Sequence, residues 1–343
     1  MNHTDIQLVV TPPPHIQSRS TISSAMYDVV IALVPVFIAA TYFFGLNAIV
    51  LVFVCVISAV LTEVLIQRLL GKQVTIYDGS ALLTGVLLAF CLPPATPWWV
   101  AAIASFISIA IAKQLFGGLG HNIFNPALFG RIFITTFLPF FPNYFIAPLW
   151  WKKTNFFNFL IPYGVGMHGD SMVYKLVDNT GKTVVDAIST ATPLRLAHQV
   201  GAVKPTYMQL FLGNVKGGNL GETCILALLI GAAYLIYKGH IDLVIPGSII
   251  GTTCLLVWVF GHDPIYHLLA GGLVLGAFFM ATDWITSPMT LRGKLVYGVG
   301  IGLFASFIRL FGTRPEGVAL GILHMNVISV FIDRLFLPRR FGE

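Results

Sequence analysis

The feature that most constrains this chain is a series of apolar runs long enough to cross a lipid bilayer. Crossing about 30 Å of hydrocarbon takes about 20 helical residues. Only 10% of the 343 residues are charged, against about 25% in soluble domains. The sequence therefore predicts an all-α polytopic membrane protein with about ten transmembrane helices. The predicted spans are 25–44, 48–69, 79–92, 98–116, 123–140, 224–237, 243–260, 265–282, 295–311 and 317–335.

The spans form two groups of five around a long polar stretch, and several are short or interrupted by Gly and Pro. An odd number of spans in each half predicts two inverted repeats with broken or half-helices. Short matches between the halves support this, since Leu-Phe-Gly at 115–117 recurs at 310–312. The predicted parts are an amino-terminal segment (1–24), a first repeat (25–140), a loop (141–222), a second repeat (223–337) and a tail (338–343).

Basic residues in the short connections predict the orientation, because such residues favour the cytoplasmic side. With the amino terminus in the cytoplasm, ten lie on that side and two, Arg309 and Arg314, on the other. Both termini are then cytoplasmic, the loop is extracytoplasmic, and the first span directs insertion without a cleaved signal. The ten are Arg19, Arg68, Lys72, Lys113, Lys238, Arg292, Lys294, Arg334, Arg339 and Arg340.

Other site types find little support in the sequence. The four cysteines lie far apart in apolar stretches and form no Cys-x-x-Cys pair, so we expect no zinc or iron–sulfur centre held by this chain alone. His262, Asp263 and His267 lack an evident third ligand, so we expect no metal site. No basic run is interleaved with aromatic residues, so we expect no nucleic-acid partner. Membrane lipid is the expected surrounding.

The glycine-rich stretch 117–127, Gly-Gly-Leu-Gly-His-Asn-Ile-Phe-Asn-Pro-Ala, has two interpretations. Its glycines let the backbone approach a ligand, and the amides of Asn122 and Asn125 can bind a flavin or quinone edge. Alternatively, it is a loop with Asn125 capping a helix. Spacing does not separate the two interpretations.

Polar residues near the spans also have structural alternatives. Tyr77-Asp78-Gly79-Ser80 is typical of a turn and cap before a short helix, with ion or cofactor contact as the minority interpretation. For Arg131 we favour a structural ion pair over contact with a reduced flavin. Glu63 and Asp283 are intramembrane carboxyl groups that suit either ion coupling or structure.

The polar loop contains the stretch 184–195, Val-Val-Asp-Ala-Ile-Ser-Thr-Ala-Thr-Pro-Leu-Arg. Thr192 before Pro193 is typical of a helix N-cap followed by proline at the first position, opening a helix to about residue 200. Asp186 and Ser189 would then be ordinary turn residues.

Together, the span layout, the glycine-rich stretch and the Asp-Ala-Ile-Ser-Thr-Ala-Thr loop resemble the RnfD family, the D-type membrane subunits of the Rnf complex. The chain is more distantly similar to NqrB, the B-type subunit of the sodium-translocating NADH:quinone oxidoreductase. The resemblance implies a bacterial inner-membrane subunit of an ion-translocating complex that moves electrons between ferredoxin and NAD while Na⁺ or H⁺ crosses. The implied partners include a second FMN subunit, iron–sulfur subunits and a flavin transferase. No residue of this chain is expected to be catalytic alone.

The resemblance also implies the cofactor residues. In that family FMN is attached through a phosphoester to the last threonine of Asp-x-x-Ser/Thr-Gly-Ala-Thr, which Asp186, Ser189, Ala191 and Thr192 match. Thr192 is the implied acceptor, and Thr190 stands where glycine is commonest. A second, non-covalent flavin (riboflavin) is implied at Asn122 and Asn125.

The alternative function is a secondary transporter or channel, because inverted repeats and broken helices also characterise that class. Such a protein carries no redox cofactor. A denatured, washed preparation that stays yellow would separate the two classes.

Overall fold

Apolar helices form almost all of the described structure. The computed structural model describes residues 21–137, 165–168, 171–177, 183–188, 193–194, 204–213, 217–312 and 317–336. The helices of the first half are α1 (Ile22–Ala32), α2 (Val34–Phe44), α3 (Leu46–Leu69), α4 (Ser80–Cys91), α5 (Trp98–Ile107, continued by the π-helical turn Ser108–Gln114) and α6 (Pro126–Phe137). Those of the second half are α7 (Tyr207–Leu212), α8 (Ile225–Tyr237), α9 (Val244–Val259), α10 (Pro264–Leu269), α11 (Leu273–Leu275, continued by the π-helical turn Gly276–Met280), α12 (Leu291–Phe311) and α13 (Gly317–Leu335).

The helix lengths confirm a polytopic membrane protein. Four stretches are long and apolar enough to cross a bilayer, namely Ile22–Phe44, Leu46–Leu69, Leu291–Phe311 and Gly317–Leu335. Five of the other six predicted spans contain shorter apolar helices, and the sixth is 265–282. The regular helix of the first stretch is interrupted at Leu33, shortly before Pro35, because proline cannot donate a helical hydrogen bond.

The span predicted at 265–282 is not one helix but two short pieces, α10 and α11. Between them Ala270 is extended and Gly271 has a φ of +72°, a conformation that favours glycine. The guanidinium of Arg309 donates to the His267 carbonyl oxygen at 2.6 Å and to that of Ala270 at 3.3 Å. A side chain thus satisfies backbone groups that the break leaves without helical partners.

Two half-helices meet inside the bundle. A helix of 12 residues, the length of α4, is about 18 Å long, too short to cross the hydrocarbon. Two backbone carbonyl groups at the end of α4 accept hydrogen bonds from the loop at 217–224. The Phe90 oxygen accepts from the N–H group of Gly221 at 2.8 Å, and the Leu92 oxygen accepts from that of Leu220 at 3.1 Å. The π-helical turn after α11 ends beside it, with Met280 Sδ 3.8 Å from Cys91 Sγ.

The same order of elements appears in both halves, as the inverted-repeat prediction requires. In each half two apolar segments precede a short or broken third, and two more follow. The half-helices enter from opposite ends of the bundle, so their carboxyl ends meet in the interior. We call the end with the connections 70–79, 115–125, 238–243 and 281–290 the Lys113 end, and the end with 92–97, 217–224 and 260–263 the Leu194 end.

The polar loop contains a small sheet that was not predicted. Strands β1 (Val165–His168), β2 (Ser171–Val177) and β3 (Thr183–Ile188) pair antiparallel in the order β1-β2-β3. Asp186 lies within β3, in register with Lys175 of β2, so its assignment to a turn was wrong. The β-branched residues Thr183, Val184 and Val185 explain the strand, since such residues favour extended backbone.

Candidate functional site

A cavity opens between the two halves at the Lys113 end. Its empty volume, counting the open mouth, is about 830 Å³. Its walls are mostly apolar and come from both repeats. The polar residues on them are Ser80, Thr84, Lys113, Asn122, Asn125, His240, Thr282 and Asp283, with Trp284 at the edge.

Asn122 presents an unused acceptor at the cavity. Its Nδ2 donates to the Phe124 carbonyl oxygen at 3.2 Å, while its buried Oδ1 has no hydrogen-bond partner among the described residues. A buried carbonyl oxygen without a donor costs about 1–3 kcal/mol. The side chain therefore suits a ligand that donates an N–H or O–H group. Gly117, Gly118 and Gly120, all with positive φ, form the tight loop that leads to it.

Asn125 has the structural role that the sequence offered as an alternative. Its Oδ1 accepts from the N–H groups of Ala127 at 3.1 Å and Leu128 at 3.4 Å, and so caps α6 ahead of Pro126. Its Nδ2 donates to the Met280 carbonyl oxygen at 3.2 Å, which joins the two halves. Asn125 also lines the cavity, so the capping and ligand-facing interpretations are compatible.

A buried ion pair lies at the cavity wall, where Lys113 lines the cavity and its partner Glu63 does not. Lys113 Nζ lies 2.6 Å from Glu63 Oε1 and 2.6 Å from Ser80 Oγ. The same Glu63 oxygen accepts from Gln114 Nε2 at 2.9 Å and Gln67 Nε2 at 3.3 Å. The sequence singled out Glu63 but not this pair, since its members lie on different helices.

The turn at residues 77–80 has the structural role that was predicted for it, a turn and cap before a short helix. Asp78 Oδ1 accepts from the N–H group of Ser80 at 2.8 Å and from its hydroxyl at 2.5 Å, at the start of α4. Gly79 has a φ of +75°. The cap fixes Ser80, which in turn contacts Lys113.

A second polar group flanks the cavity mouth. His240 Nε2 lies 2.8 Å from Asp28 Oδ2, and the Tyr234 hydroxyl donates to Asp28 Oδ1 at 2.8 Å. Lys238 Nζ is 3.5 Å from the same oxygen, and the nearby negative charge of Asp28 raises the pKa of Lys238. No sequence motif marked these residues, since more than 200 positions separate Asp28 from His240.

Asp283 lies on the connection after Met280 and is half-buried at the cavity wall. Burial raises the pKa of its carboxyl group, although the N–H group of Ile285 and the hydroxyl of Thr286 hydrogen-bond to it. The carboxyl group is therefore easier to protonate than an ordinary aspartate. Its position fits either of the interpretations that the sequence left open for it.

We call the helix that is predicted to begin at Pro193, after the predicted FMN acceptor, the attachment helix, and its first two residues are anchored at the Leu194 end. Pro193 and Leu194 are helical, and the Tyr266 hydroxyl donates to the Pro193 carbonyl oxygen at 2.8 Å. Leu194 is 1% exposed and packs with Leu210, Tyr266 and Ala270. The residue that follows Thr192 is thus held firmly against α10.

Asp263 caps the amino-terminal end of α10. Its Oδ1 accepts from the N–H groups of Ile265 at 3.0 Å and Tyr266 at 3.2 Å, and its Oδ2 accepts from the Tyr207 hydroxyl. Burial pushes the pKa of Asp263 upward, but these hydrogen bonds outweigh it and lower the pKa. Within the described ranges no group of three His, Cys, Asp or Glu residues is placed to hold a metal ion.

A second, smaller cavity lies beside Leu194. Its empty volume is about 380 Å³, and Arg131, Glu222 and Arg309 line it with apolar residues of both halves. Arg131 Nη1 lies 3.4 Å from Glu222 Oε1, which confirms the ion pair favoured for Arg131. Asn219 Nδ2 also donates to that oxygen, at 2.8 Å.

The attachment motif itself falls largely outside the described residues. Ser189, Ala191 and Thr192 are among those not described, and of Asp186 only the backbone position in β3 is described. The structure thus brings Asn122 and Asn125 to one cavity and leaves the Thr192 assignment a prediction.

One glycine pattern in the loop has the spacing of a dinucleotide motif but not its structural context. Gly164, Gly166 and Gly169 have the Gly-x-Gly-x-x-Gly spacing of dinucleotide sites. That motif requires a turn from a strand into a helix. Here 165–168 is strand β1, and the antiparallel strand β2 follows it, so the required context is missing.

Comparison with known proteins places the chain among its relatives. The family described as "NQR2, RnfD, RnfE family" matches residues 9–342. The chain is 42% identical to the D-type subunit of the Na(+)-translocating ferredoxin:NAD(+) oxidoreductase complex of Acetobacterium woodii, over 98% of this chain and 96% of that protein. It is 39% identical to the D-type subunit of the proton-translocating ferredoxin:NAD(+) oxidoreductase complex of Clostridium ljungdahlii, over 97% and 96%. It is 36% identical to the D-type subunit of the ion-translocating oxidoreductase complex of Stutzerimonas stutzeri, over 95% and 93%. The chain therefore belongs to the NQR2, RnfD, RnfE family.

Proposed function

We propose that this chain is the membrane flavoprotein subunit of an ion-translocating ferredoxin:NAD oxidoreductase complex. Nearly full-length similarity to the D-type subunits of such complexes carries the proposal. The relatives include a sodium-translocating and a proton-translocating complex, so family membership is compatible with either ion. Ferredoxin and NAD would bind to other subunits, including iron–sulfur subunits and a second FMN subunit.

The proposed covalent cofactor is FMN, attached by a flavin transferase to Thr192. The anchoring of Pro193 and Leu194 against α10 supports this position, because a ring tethered one residue earlier would have a fixed starting point. A helix beginning at Pro193 would direct its first N–H groups and its positive dipole end toward the phosphate.

The proposed non-covalent flavin occupies the cavity at the Lys113 end. The free Oδ1 of Asn122 offers an acceptor to an N–H group of the ring, and apolar walls from both halves suit its faces. When bound, a flavin supplies one- and two-electron chemistry, while the protein binds and orients it. The residues of the cavity thus fit the group.

The proposed orientation puts the Lys113 end and both termini in the cytoplasm and the Leu194 end outside, in the bacterial inner membrane. The distribution of lysine and arginine in the short connections supports this arrangement. The ring in the cavity and the ring on Thr192 would then lie near opposite faces of the membrane.

The competing function, a secondary transporter without a redox cofactor, shares the repeat architecture. In-gel flavin fluorescence of the denatured chain separates the two. The native chain should fluoresce, Thr192→Ala should abolish the signal, and Thr190→Ala should retain it, because Thr190 stands at the wrong motif position. Fluorescence that survives Thr192→Ala would defeat the attachment assignment.

A further inference from the structure

Lys113 is an unusual residue for the interior of a membrane protein. It lies near the end of a predicted span, is 1% exposed, and sits on a π-helical turn. Burying a lysine inside a protein is costly unless it is paired, and ionisable residues buried within membrane helices often mark functional sites. Single π-helical turns also occur frequently at functional sites. Both observations point to a role for this ammonium group beyond packing.

The contacts of the ammonium group place it between a carboxylate and the cavity. Glu63 Oε1 and Ser80 Oγ each lie 2.6 Å from Nζ. Ser80 and Lys113 line the cavity, whereas Glu63 does not. The ammonium group has three N–H donors, and these contacts use two. The third N–H has no hydrogen-bond partner among the described residues.

The other ionisable groups on the cavity wall do not supply a comparable cation. His240 is a histidine whose Nε2 lies 2.8 Å from the Asp28 carboxylate, and Lys238, which contacts the same carboxylate, does not line the cavity. Asp283 contributes either a negative charge or none. Among the described residues that line the cavity, Lys113 is the only lysine or arginine.

We propose that Lys113 binds the negative charge that reduction brings into this cavity, and thereby sets the potential of the flavin bound there. The inference rests on the proposed non-covalent flavin. One electron passes from a reduced flavin or iron–sulfur centre of the complex, which is oxidised by one electron. A flavin held in the cavity would gain that electron and one negative charge, which the Lys113 ammonium group would face. No bond breaks, and Lys113 acts as a positioning residue.

A redox titration of the purified complex tests the proposal. The informative variant is the double substitution Lys113→Met with Glu63→Gln, because removing Lys113 alone would leave a buried carboxylate without its cation. It should retain the non-covalent flavin with a lower midpoint potential. The fall should be about 59 mV for each tenfold loss of preference for the one-electron-reduced ring. Lys113→Arg should stay near the native potential, because it keeps the charge.

A matched control is available at the same end of the bundle. Lys294 and Asp242 also form an ion pair there, but neither lines the cavity. Removing that pair with Lys294→Met and Asp242→Asn should leave the potential unchanged. A double variant at 113 and 63 that binds the flavin with the native potential would overturn the inference and leave the proposed function intact. A native complex without extractable non-covalent flavin would overturn the second-flavin proposal itself.

Discussion

Lys113 Nζ lies 2.6 Å from Glu63 Oε1, although 50 positions separate the two residues. Their side chains are 2% and 1% exposed. The pair joins α3 to the π-helical turn after α5, within the first half of the chain. Burying two opposite charges is tolerated only where they satisfy each other and their remaining partners.

Breaking this ion pair should destabilise the protein strongly. Glu63→Ala leaves a buried ammonium group without its carboxylate, and such losses typically cost about 3–5 kcal/mol. Thermal unfolding in detergent measures the effect. Replacing both residues, with Glu63→Gln and Lys113→Met, should restore most of the stability. A double variant as unstable as Glu63→Ala would show that the pair is not the cause.

Close helix packing predicts a second stability effect. A Cβ atom added at Gly231 of α8 would collide with the Ala32 carbonyl oxygen. Gly231→Ala should therefore force α8 away from α1 and cost about 1–3 kcal/mol. The control is Gly247→Ala in α9, where nothing lies within 4 Å of the added atom. There alanine should stabilise by about 0.5–1 kcal/mol, since glycine is a poor helix former. Equal effects at the two positions would argue against the described contact.

The raised pKa of Asp283 predicts a pH-dependent effect. A carboxyl group whose pKa is raised in the folded state makes its full contribution to the stability of the protein at pH values below its unfolded pKa, near 3.9. That contribution is lost as the pH rises through the folded pKa. The difference in stability between Asp283→Asn and the native protein should therefore shift in favour of the variant as the pH rises. The comparison is of unfolding midpoints from pH 4 to pH 8. A constant difference across this range would show that the carboxyl group is not perturbed.

The contact between Tyr266 and Pro193 predicts the behaviour of the attachment helix. Tyr266→Phe removes the hydroxyl that donates to the Pro193 carbonyl oxygen at 2.8 Å. We expect covalent flavin to be retained, because Thr192 is unchanged. Stability should fall by about 1 kcal/mol. Amide hydrogen exchange should accelerate in the peptide that contains Leu194, and Tyr297→Phe, at a buried site in α12, provides the comparison. Unchanged exchange would show that this hydrogen bond does not hold the helix.

Much of the fold follows from apolar length and local signals. The span predicted at 317–335 matches α13, and Asn125 before Pro126 caps α6. Arg131 has the carboxylate partner that its depth in the membrane demands. These features are local, or follow from the cost of burying a charge, so a single sequence contains them.

The rest depends on contacts between distant segments. Nothing local pairs Lys113 with Glu63 or His240 with Asp28, and their association emerges only when helices of the bundle meet. The π-helical turns also leave no clear sequence pattern. Strand β3 was not predicted, because its run of β-branched residues is short and lies in a polar loop, and its pairing with β2 depends on the rest of the sheet.

The central claim is that Thr192 carries the redox ring of this subunit. Mass spectrometry of the proteolytic peptide that spans Thr192, from chain produced with its flavin transferase, tests it most directly. The account predicts an added FMN phosphoryl group on Thr192, with Ser189 and Thr190 unmodified. An unmodified Thr192 in chain purified from the native complex would contradict it.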